Sequence, residues 1–455
     1  MSLKAVNPAD GSTIRNYDQL TKEQMWNVLE RSHETWLAWR TIPMDERSRL
    51  MKRAAGLLRD RADKYGRMMT REMGKTLKSA VGEVEKCAWV CDYYAENAEK
   101  FLAEEPVETD ASESFITYDP LGVVLAVMPW NFPFWQVFRF AAPALMAGNT
   151  GLLKHASNVP GSALAIEEVF RDAGFPEDAF RSLLIKTSWV DELLGHQHIK
   201  AATLTGSGPA GSAVASKAGE MLKKTVLELG GSDPYIVLED ADLDAAASTC
   251  VTSRLINGGQ SCIAAKRFIV IESVLESFTE KFVEGMKAAR MGDPMDEDVA
   301  LGPMAREDLR DELHEQVQKS VKEGAECVLG GEIPDRKGSW YPPTVLTGVK
   351  PGMAAFDEEL FGPVAAIISA RDEKEAVALA NNSVFGLGAA VFTGDAARGR
   401  RIAAEELEAG SCFVNEFVKS DPRLPFGGIK TSGYGRELSY LGIREFTNIK
   451  TVYVA

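Results

Sequence analysis

The sequence predicts an α/β protein with more than one domain, on three observations. Strand and helix patterns alternate from residue 123 to 224, and again from 364 to 415. Such alternation is typical of parallel sheets covered by helices. The chain has 455 residues, which is more than one hydrophobic core normally covers. We therefore expect two α/β units.

The N-terminal region, residues 20–104, is predicted to be helical. Trp26, Leu29 and Leu37 recur at helical spacing, and a further helix is predicted over 83–101. Charged and apolar faces alternate, which is typical of solvated helices packed on a core. We expect no chemistry in this region.

Two strand patterns flank a turn between residues 113 and 128. Ser114–Tyr118 is a candidate for an arm that leaves the body of the domain. Val123–Met128 is apolar throughout, which indicates a parallel strand buried on both faces. At the other end of the chain, Ile449–Val454 is an apolar strand, and a terminal strand of this kind favours pairing with the sheet of another subunit.

The first buried strand leads into Pro129-Trp130-Asn131-Phe132-Pro133. The two prolines restrict the backbone and fix the direction of the Asn131 side chain. Its amide could donate to a developing oxyanion. The alternative is a turn residue that caps the next helix.

A glycine-rich turn follows the strand Ile199–Thr205. Gly206-Ser207-Gly208-Pro209-Ala210-Gly211 fits G-x-G-x-x-G between a strand and a helix, as in dinucleotide-binding proteins. Glu228 lies where the ribose-binding acid of that motif is expected. Its leucine neighbours instead favour a desolvated general base, and a solvated glutamate at a strand end is the third possibility.

A second glycine-bearing turn, Asn257 to Cys262, ends in a cysteine. Exposed backbone N–H groups on such a turn lower the pKa of a thiol and favour a nucleophile. A buried structural cysteine is the alternative. No histidine is near Cys262 in the sequence, so its base is expected to be a carboxylate, and a cysteine hydrolase is disfavoured.

Composition limits the partners. The net charge of −15 argues against nucleic acid and anionic membranes, and no apolar run is long enough to span a bilayer. The six cysteines are scattered, unlike a disulfide framework, and no histidine pattern indicates a metal. We expect a cytoplasmic protein without a metal site.

Six motifs in order resemble the aldehyde dehydrogenase superfamily: Pro129–Pro133, Leu204–Ser207, Glu228–Gly231, Gly259–Cys262, Glu359–Pro363 and Pro425–Gly428. The resemblance covers most of the chain. It implies two Rossmann-like α/β domains and a small β oligomerisation arm. The cofactor domain would be 1–104 with 122–229, the catalytic domain 230–430, and the bridging segment 105–121 with 431–455. A homodimer or a dimer of dimers is expected.

The resemblance also implies roles. Cys262 would attack the aldehyde, with Asn131 and the Cys262 N–H holding the oxyanion, and Glu228 would activate the hydrolytic water. The implied cofactor-binding residues are Trp130, Lys154, Ser157, Gly206, Ser207, Leu229, Glu359 and Phe361. Many NAD-preferring members carry a glutamate at the position of Ser157. Serine leaves room for a 2′-phosphate, with Lys154 and His155 nearby, so NADP is expected and NAD is possible.

Within the superfamily, the similarity is greatest to the short bacterial succinate-semialdehyde dehydrogenases. This implies that Trp135, Arg139, Ser261 and Ser420 bind the substrate, with Arg139 at a substrate carboxylate. An ion pair between Arg139 and a structural glutamate is the alternative. Ile256 replaces a second arginine of some relatives, which implies weaker carboxylate binding. Ala264 replaces a second cysteine of some relatives, so no local disulfide with Cys262 is expected.

Three other functions stay open. One is a broad-range enzyme for medium-chain or aromatic aldehydes. A CoA-acylating enzyme is disfavoured, because such members do not rely on a glutamate base and Glu228 is present. A non-catalytic structural descendant is disfavoured, because Cys262, Asn131 and Glu228 are all retained.

Overall fold

The computed structural model describes residues 2–455. Its strands are β1 Ser2–Val6, β2 Thr13–Asp18, β3 Glu105–Pro106, β4 Glu113–Pro120, β5 Val123–Met128, β6 Thr150–His155, β7 Phe180–Ser182, β8 Ile199–Thr205, β9 Lys224–Glu228, β10 Pro234–Val237, β11 Arg267–Ile271, β12 Glu326–Leu329, β13 Thr344–Thr347, β14 Val364–Ala370, β15 Gly388–Phe392, β16 Ser411–Val414, β17 Gly433–Tyr434 and β18 Thr447–Val454. Its α-helices are α1 Lys22–Trp39, α2 Met44–Asp60, α3 Ala62–Met73, α4 Leu77–Phe101, α5 Trp135–Met146, α6 Pro160–Ala173, α7 Val190–Gly195, α8 Gly208–Glu220, α9 Leu243–Leu255, α10 Leu275–Ala288, α11 Glu307–Lys322, α12 Ala354–Asp357, α13 Glu373–Asn381, α14 Ala396–Arg401 and α15 Ser439–Arg444.

Two sheets confirm the predicted pair of α/β units. The first has the order β17-β9-β8-β5-β6-β7 and is parallel except for β17. The second has the order β12-β13-β14-β11-β10-β15-β16 and is parallel except for β12. Parallel strands need covering on both faces, and the helices between them supply that cover.

Strand β5 lies at the centre of the first sheet, and its two faces enter different cores. Val124 and Ala126 pack with α2, α4, α5 and α6. Val123 and Leu125 pack on the other face with residues of α1 and α8. This arrangement confirms the predicted buried parallel strand, and it fixes the turn that follows β5 on a rigid base.

A third sheet is antiparallel and has the order β18-β4-β3. The C-terminal strand β18 pairs with β4 along its whole length, from Thr447 opposite Pro120 to Val454 opposite Glu113. The terminal strand therefore finds a partner within its own chain. Its other edge carries no strand within residues 2–455, and Ile449 and Tyr453 on it are exposed.

One helix boundary differs from the prediction, and one helix changes its winding near its end. Helix α4 begins at Leu77 rather than 83, because the Thr76 hydroxyl accepts from the N–H of Ser79 and caps the first turn. Helix α14 ends at Arg401 and continues as a wider π-turn over Ile402–Glu406. Within the described residues, none of the helices has the length and apolar character needed to cross a membrane.

Candidate active site

The turn that carries Cys262 has an unusual backbone. Asn257, Gly258 and Gly259 all have left-handed φ angles, of 55°, 66° and 75°, which glycine adopts without steric cost. Gly259 also packs directly on the chain, because a Cβ there would lie 2.2 Å from the carbonyl oxygen of Gly362. The turn is thereby seated against the Glu359–Pro363 segment.

Two buried cations donate hydrogen bonds to the backbone of this turn. The Lys266 ammonium donates to the carbonyl oxygens of Ser261 and Cys262, at 2.9 and 2.8 Å. Arg254 donates to the carbonyl oxygen of Gly259 at 2.7 Å. Within residues 2–455 no acceptor receives the Cys262 N–H, so this donor is free for a developing oxyanion.

Asn131 is tied to the same turn. Its side-chain nitrogen donates to the carbonyl oxygen of Gln260 at 3.1 Å, and the Asn257 amide donates to the Asn131 carbonyl oxygen at 2.7 Å. The following helix is anchored by Glu83, whose carboxylate accepts from the N–H groups of Phe134 and Trp135. One Asn131 N–H remains available, and its position close to Cys262 is compatible with an oxyanion donor.

Glu228 ends β9 and is almost completely buried, with 2% of its surface exposed. Neither carboxylate oxygen has a hydrogen-bond partner within residues 2–455. Burial raises the pKa of Glu228 well above its ordinary value, opposed by the charge of Arg139. This setting suits a general base. A solvated strand-end glutamate, the third possibility above, is excluded by the burial.

The environment of Cys262 also favours its neutral form. Burial raises the pKa of the thiol to about 12, while the charges of Arg139 and Lys266 act in the opposite direction. The cysteine is nonetheless partly accessible and forms no disulfide. A nucleophile with this pKa needs a base or a change in its surroundings to form the thiolate.

A cavity of about 540 Å³ opens on one side of Cys262. Most of the predicted cofactor residues line it: Trp130, Gly206, Ser207, Leu229, Glu359 and Phe361. Asn131 and Cys262 line it as well. The Trp130 and Phe361 rings meet edge to face, with centroids 5.8 Å apart. We call this space the large cavity.

The polar groups of the large cavity fit a dinucleotide. Helix α8 points its N-terminus at the cavity through the exposed Ser207, an arrangement that favours a pyrophosphate. The Glu359 carboxylate accepts from the Gly231 N–H at 3.0 Å and lies 3.5 Å from the Lys266 ammonium. Glu359 therefore has a fixed orientation from which it can accept from ribose hydroxyls.

The G-x-G-x-x-G turn departs from the expectation for a dinucleotide fingerprint. Only Gly211 requires glycine for space, because a Cβ there would lie 2.6 Å from a methyl carbon of Leu229. A Cβ at Gly206 or Gly208 would meet no close contact. Glu228 lines neither of the two cavities beside Cys262, so the cavity linings do not distinguish the ribose-binding role from the base role, and both stay predictions.

Two predicted cofactor residues lie outside the lining of the large cavity. Ser157 is exposed just beyond β6, and the buried Lys154 donates to the carbonyl oxygen of His155 at 3.0 Å. His155, which lies between Lys154 and Ser157 in the sequence, is held by the protein in a setting that favours the neutral ring. Its two ring nitrogens contact the Pro133 carbonyl oxygen and the Ala156 N–H, and burial lowers its pKa to about 4.

A second space, of about 210 Å³, lies on the other side of Cys262. The four predicted substrate residues Trp135, Arg139, Ser261 and Ser420 all line it. Ile256, Phe417 and Phe426 add apolar walls. We call this space the small cavity. It is smaller than the roughly 300–1,000 Å³ usual for drug-sized ligands, which favours a short substrate.

Arg139 already has partners within the protein. Its guanidinium forms a buried ion pair with Glu437, contacts Thr205 at 3.4 Å and lies 4.7 Å above the Phe426 ring. This is the structural ion pair left open by the sequence. Binding of a substrate carboxylate by Arg139 stays a prediction.

Sequence reasoning missed Lys86, Glu83, Lys266 and Glu437. Lys86 and Glu83 lie in the N-terminal helices, where no chemistry was expected, yet both line the small cavity. Lys266 is separated by a few residues from Cys262, and a buried lysine in an apolar stretch was the available signal. Glu437 carried no signal, since only the tertiary fold brings it to Arg139.

One polar cluster lies apart from both cavities. Glu30 contacts His196 at 3.7 Å and His198 at 3.2 Å, and His33 stacks on His198. The ligand atoms of Glu30, His196 and His198 lie within 4.8 Å of one another. The spacing of these residues in the sequence gave no sign of this cluster, and glutamate–histidine contacts account for its geometry.

Comparison with known proteins identifies the family of this chain. The model of the aldehyde dehydrogenase family matches residues 1–452. A protein of Synechocystis sp. named a probable NADP(+) succinate-semialdehyde dehydrogenase is 51% identical over the whole of both chains. An NADP(+) succinate-semialdehyde dehydrogenase of Mycobacterium avium is 50% identical, over 100% of this chain and 97% of that protein. The crystal structure of succinic semialdehyde dehydrogenase from Streptococcus pyogenes in complex with NADP+ superposes with a TM-score of 0.97, at 39% identity over 99% of each chain. This chain belongs to the aldehyde dehydrogenase family.

Proposed function

We propose that this protein oxidises succinate semialdehyde to succinate, with NADP as the hydride acceptor. One observation carries the proposal: Cys262 lines both cavities, with dinucleotide-binding groups on one side and a small, partly cationic space on the other. A nucleophile at such a junction can form the tetrahedral aldehyde adduct from which a hydride passes to a dinucleotide. The relatives named above support the same substrate and cofactor.

Cys262 begins the reaction when its thiol loses its proton to solvent and Sγ attacks the aldehyde carbon, which opens the carbon–oxygen double bond. The negative charge that develops on the aldehyde oxygen meets the free N–H of Cys262 and the Asn131 amide. These donors are fixed in advance by the hydrogen bonds to Gln260 and from Asn257. Removing one donor of this type typically slows catalysis about 10²- to 10³-fold.

The large cavity holds the dinucleotide. Ser207 and the start of α8 would face the pyrophosphate, and Glu359 would accept from ribose hydroxyls. When bound, NADP supplies the acceptor for the hydride that leaves the carbon attached to Cys262. The Trp130 and Phe361 rings line this cavity and meet edge to face.

Glu228 completes the reaction by taking a proton from the water that hydrolyses the Cys262 thioester. Its desolvated carboxylate has no competing donor within residues 2–455. A raised pKa makes it a stronger base than an exposed glutamate. The product carboxylate is then released from the small cavity.

Ser157 supports the preference for NADP. The residue is exposed at the end of β6, close in sequence to Lys154, and it brings no negative charge to a 2′-phosphate. No ion-pair partner lies within 4 Å of the Lys154 ammonium within residues 2–455. Both features favour a phosphorylated ribose.

The test is to follow reduction of NADP and NAD with three aldehydes: succinate semialdehyde, glutarate semialdehyde and butanal. We expect the highest kcat/KM with succinate semialdehyde and NADP. Similar kcat/KM values for the three aldehydes would favour the broad-range alternative. Ile256 and the aromatic walls of the small cavity are the features that support this alternative. No turnover of any aldehyde would support the structural alternative.

We also propose a division into domains, an oligomeric state and a location for the protein. Residues 1–104 and 122–229 would bind the cofactor, 230–430 would carry the nucleophile, and 105–121 with 431–455 would bridge subunits. The open edge of β18 supports a homodimer or a dimer of dimers, measurable by light scattering. Six unpaired cysteines support a cytoplasmic location.

A further inference from the structure

We propose that Lys266 is a positioning residue that ties the cofactor-binding carboxylate of Glu359 to the backbone of the Cys262 turn. It holds both groups at once, and its charge acts on both. The inference rests on the proposed function, because Glu359 is taken to bind a ribose of the dinucleotide. Lys266 itself lines neither the large nor the small cavity, so its role is to act through these two residues.

Lys266 lies directly before Arg267, the first residue of β11, and none of its side-chain surface is exposed. Its backbone N–H donates to the carbonyl oxygen of Asp233 at 3.1 Å. Burial lowers the pKa of its ammonium, the charges of Glu359 and Asp233 oppose that effect, and the charge of Arg254 adds to it. A buried ammonium is unfavourable unless its donors and its charge are compensated, so the partners of Lys266 indicate what this position requires.

The Lys266 ammonium reaches two sides of the site. It donates to the carbonyl oxygens of Ser261 and Cys262, at 2.9 and 2.8 Å, and it lies 3.5 Å from the Glu359 carboxylate. These three contacts match the three donors of an ammonium. One side chain thus connects the turn that carries the nucleophile with a carboxylate that lines the large cavity.

The segment that follows Glu228 packs against the same centre. Glu359 accepts from the Gly231 N–H at 3.0 Å. A Cβ on Gly231 would lie 2.7 Å from the carbonyl oxygen of Cys262, and a Cβ on Gly230 would collide with the Glu359 carboxylate. This close packing leaves Glu359 and the Cys262 carbonyl little freedom to move separately from the cation between them.

Lys266 and Glu359 have opposite effects on the Cys262 thiol. Burial is the largest influence on the pKa of this thiol and raises it; the charges of Arg139 and Lys266 lower it, and those of Glu359 and Asp233 raise it. Burial also raises the pKa of Glu359, and the Lys266 charge is the main opposing influence. Lys266 therefore favours both the thiolate and an ionised acceptor for the ribose.

The first measurement is the rate at which iodoacetamide labels Cys262 at pH 8 in the cofactor-free protein. Lys266→Met removes a charge that favours the thiolate, so we expect labelling to be about tenfold slower, equivalent to about one pKa unit. Glu359→Gln removes an opposing charge and should make labelling faster. A lysine that only supported the fold would give the reverse result in Lys266→Met, because a loosened turn exposes the thiol.

The second measurement is the Kd of NADP, by titration calorimetry without aldehyde. Lys266→Met and Glu359→Gln should each weaken binding about 3- to 10-fold. Because both side chains act through one contact, the double variant should bind NADP no more weakly than Glu359→Gln alone. Lys266→Gln loses the charge and keeps N–H donors for the turn, and it takes the place of Lys266→Met in both measurements if the latter fails to fold.

Two results overturn the inference. One is an additive loss of NADP affinity in the double variant, and the other is labelling of Cys262 that is unchanged or faster in the Lys266 variants. If the wild-type protein binds neither NADP nor NAD, the proposed function fails instead. Slower labelling in the Lys266 variants would then still support the link between Lys266 and Cys262.

Discussion

Arg139 and Glu437 form an ion pair inside the protein, between the helix that follows Asn131 and the segment that follows the glycine-rich Pro425–Gly428 turn. Glu437 also exchanges backbone hydrogen bonds with Phe426, in both directions. The pair therefore connects the helix that lines the small cavity to the segment that is hydrogen-bonded to Phe426, another lining residue. Its first role is structural, whatever ligand the cavity takes.

Removing one partner of this pair should destabilise the protein. Arg139→Met leaves the Glu437 carboxylate buried without a counter-ion, at a cost of about 3–5 kcal/mol. The double variant Arg139→Met with Glu437→Met removes both charges and should recover most of the loss in Tm. Thermal unfolding of the three proteins, followed by scanning calorimetry, measures the difference. A double variant no more stable than the single one would contradict a coupled pair.

Replacing Glu228 with glutamine should separate the two halves of the reaction. Glutamine has a similar shape but cannot accept a proton from water. We expect one equivalent of NADPH per active site in a rapid burst, followed by turnover slowed about 10²- to 10⁴-fold. Rapid-mixing absorbance measurements test this, with Asn131→Ala as a comparison that should slow the burst itself. A Glu228→Gln enzyme that turns over normally would exclude the base role.

The wild-type enzyme should also depend on pH through Glu228. Its pKa is raised by burial, so the carboxylate becomes protonated, and inactive as a base, at a higher pH than an ordinary glutamate near 4.3. As the pH decreases, the rate of thioester hydrolysis should therefore begin to fall at a higher pH than it would if the base were an exposed glutamate. Single-turnover measurements of product release across pH test the direction.

The local sequence motifs were sufficient to predict the residues at the centre of the site, but they were insufficient to predict the residues around it. Cys262 and Asn131 stand in short segments whose glycines and prolines fix the backbone, and the structure brings these segments together. Burial was needed to exclude a solvated Glu228, and the same sequence position fits both a ribose ligand and a desolvated base.

Long-range packing decided the rest. Lys86 meets Ser420 across 334 residues of sequence, and Arg139 finds Glu437 only through the tertiary fold. A charged residue on an amphipathic helix is usually solvated. The periodicity of the helix therefore did not distinguish Lys86 from the other charged residues on it. Substrate recognition is therefore the part of this protein that the sequence pattern predicts least.

The Cys262 thiol should react slowly with alkylating reagents at neutral pH. Its pKa of about 12 means that the thiolate fraction, and with it the rate of alkylation, rises about tenfold per pH unit from 7 to 10. Iodoacetamide labelling of the cofactor-free protein, followed by peptide mass spectrometry, measures the rate at Cys262. Cys262→Ala gives the background from the other cysteines. A rate that levels off below pH 8 would show a lower pKa.

Changing Ser157 to glutamate should move the cofactor preference from NADP towards NAD. A carboxylate at this exposed position repels a 2′-phosphate and can accept from a 2′-hydroxyl instead. We expect kcat/KM for NADP to fall about tenfold or more, equivalent to at least about 1.4 kcal/mol, while NAD is used equally well or better. Ser157→Gln is the matched control, because it adds the same bulk without the charge and should lose less NADP activity. Initial rates with both cofactors at saturating aldehyde test this, and unchanged use of NADP by the Ser157→Glu enzyme would mean that the 2′-phosphate lies elsewhere.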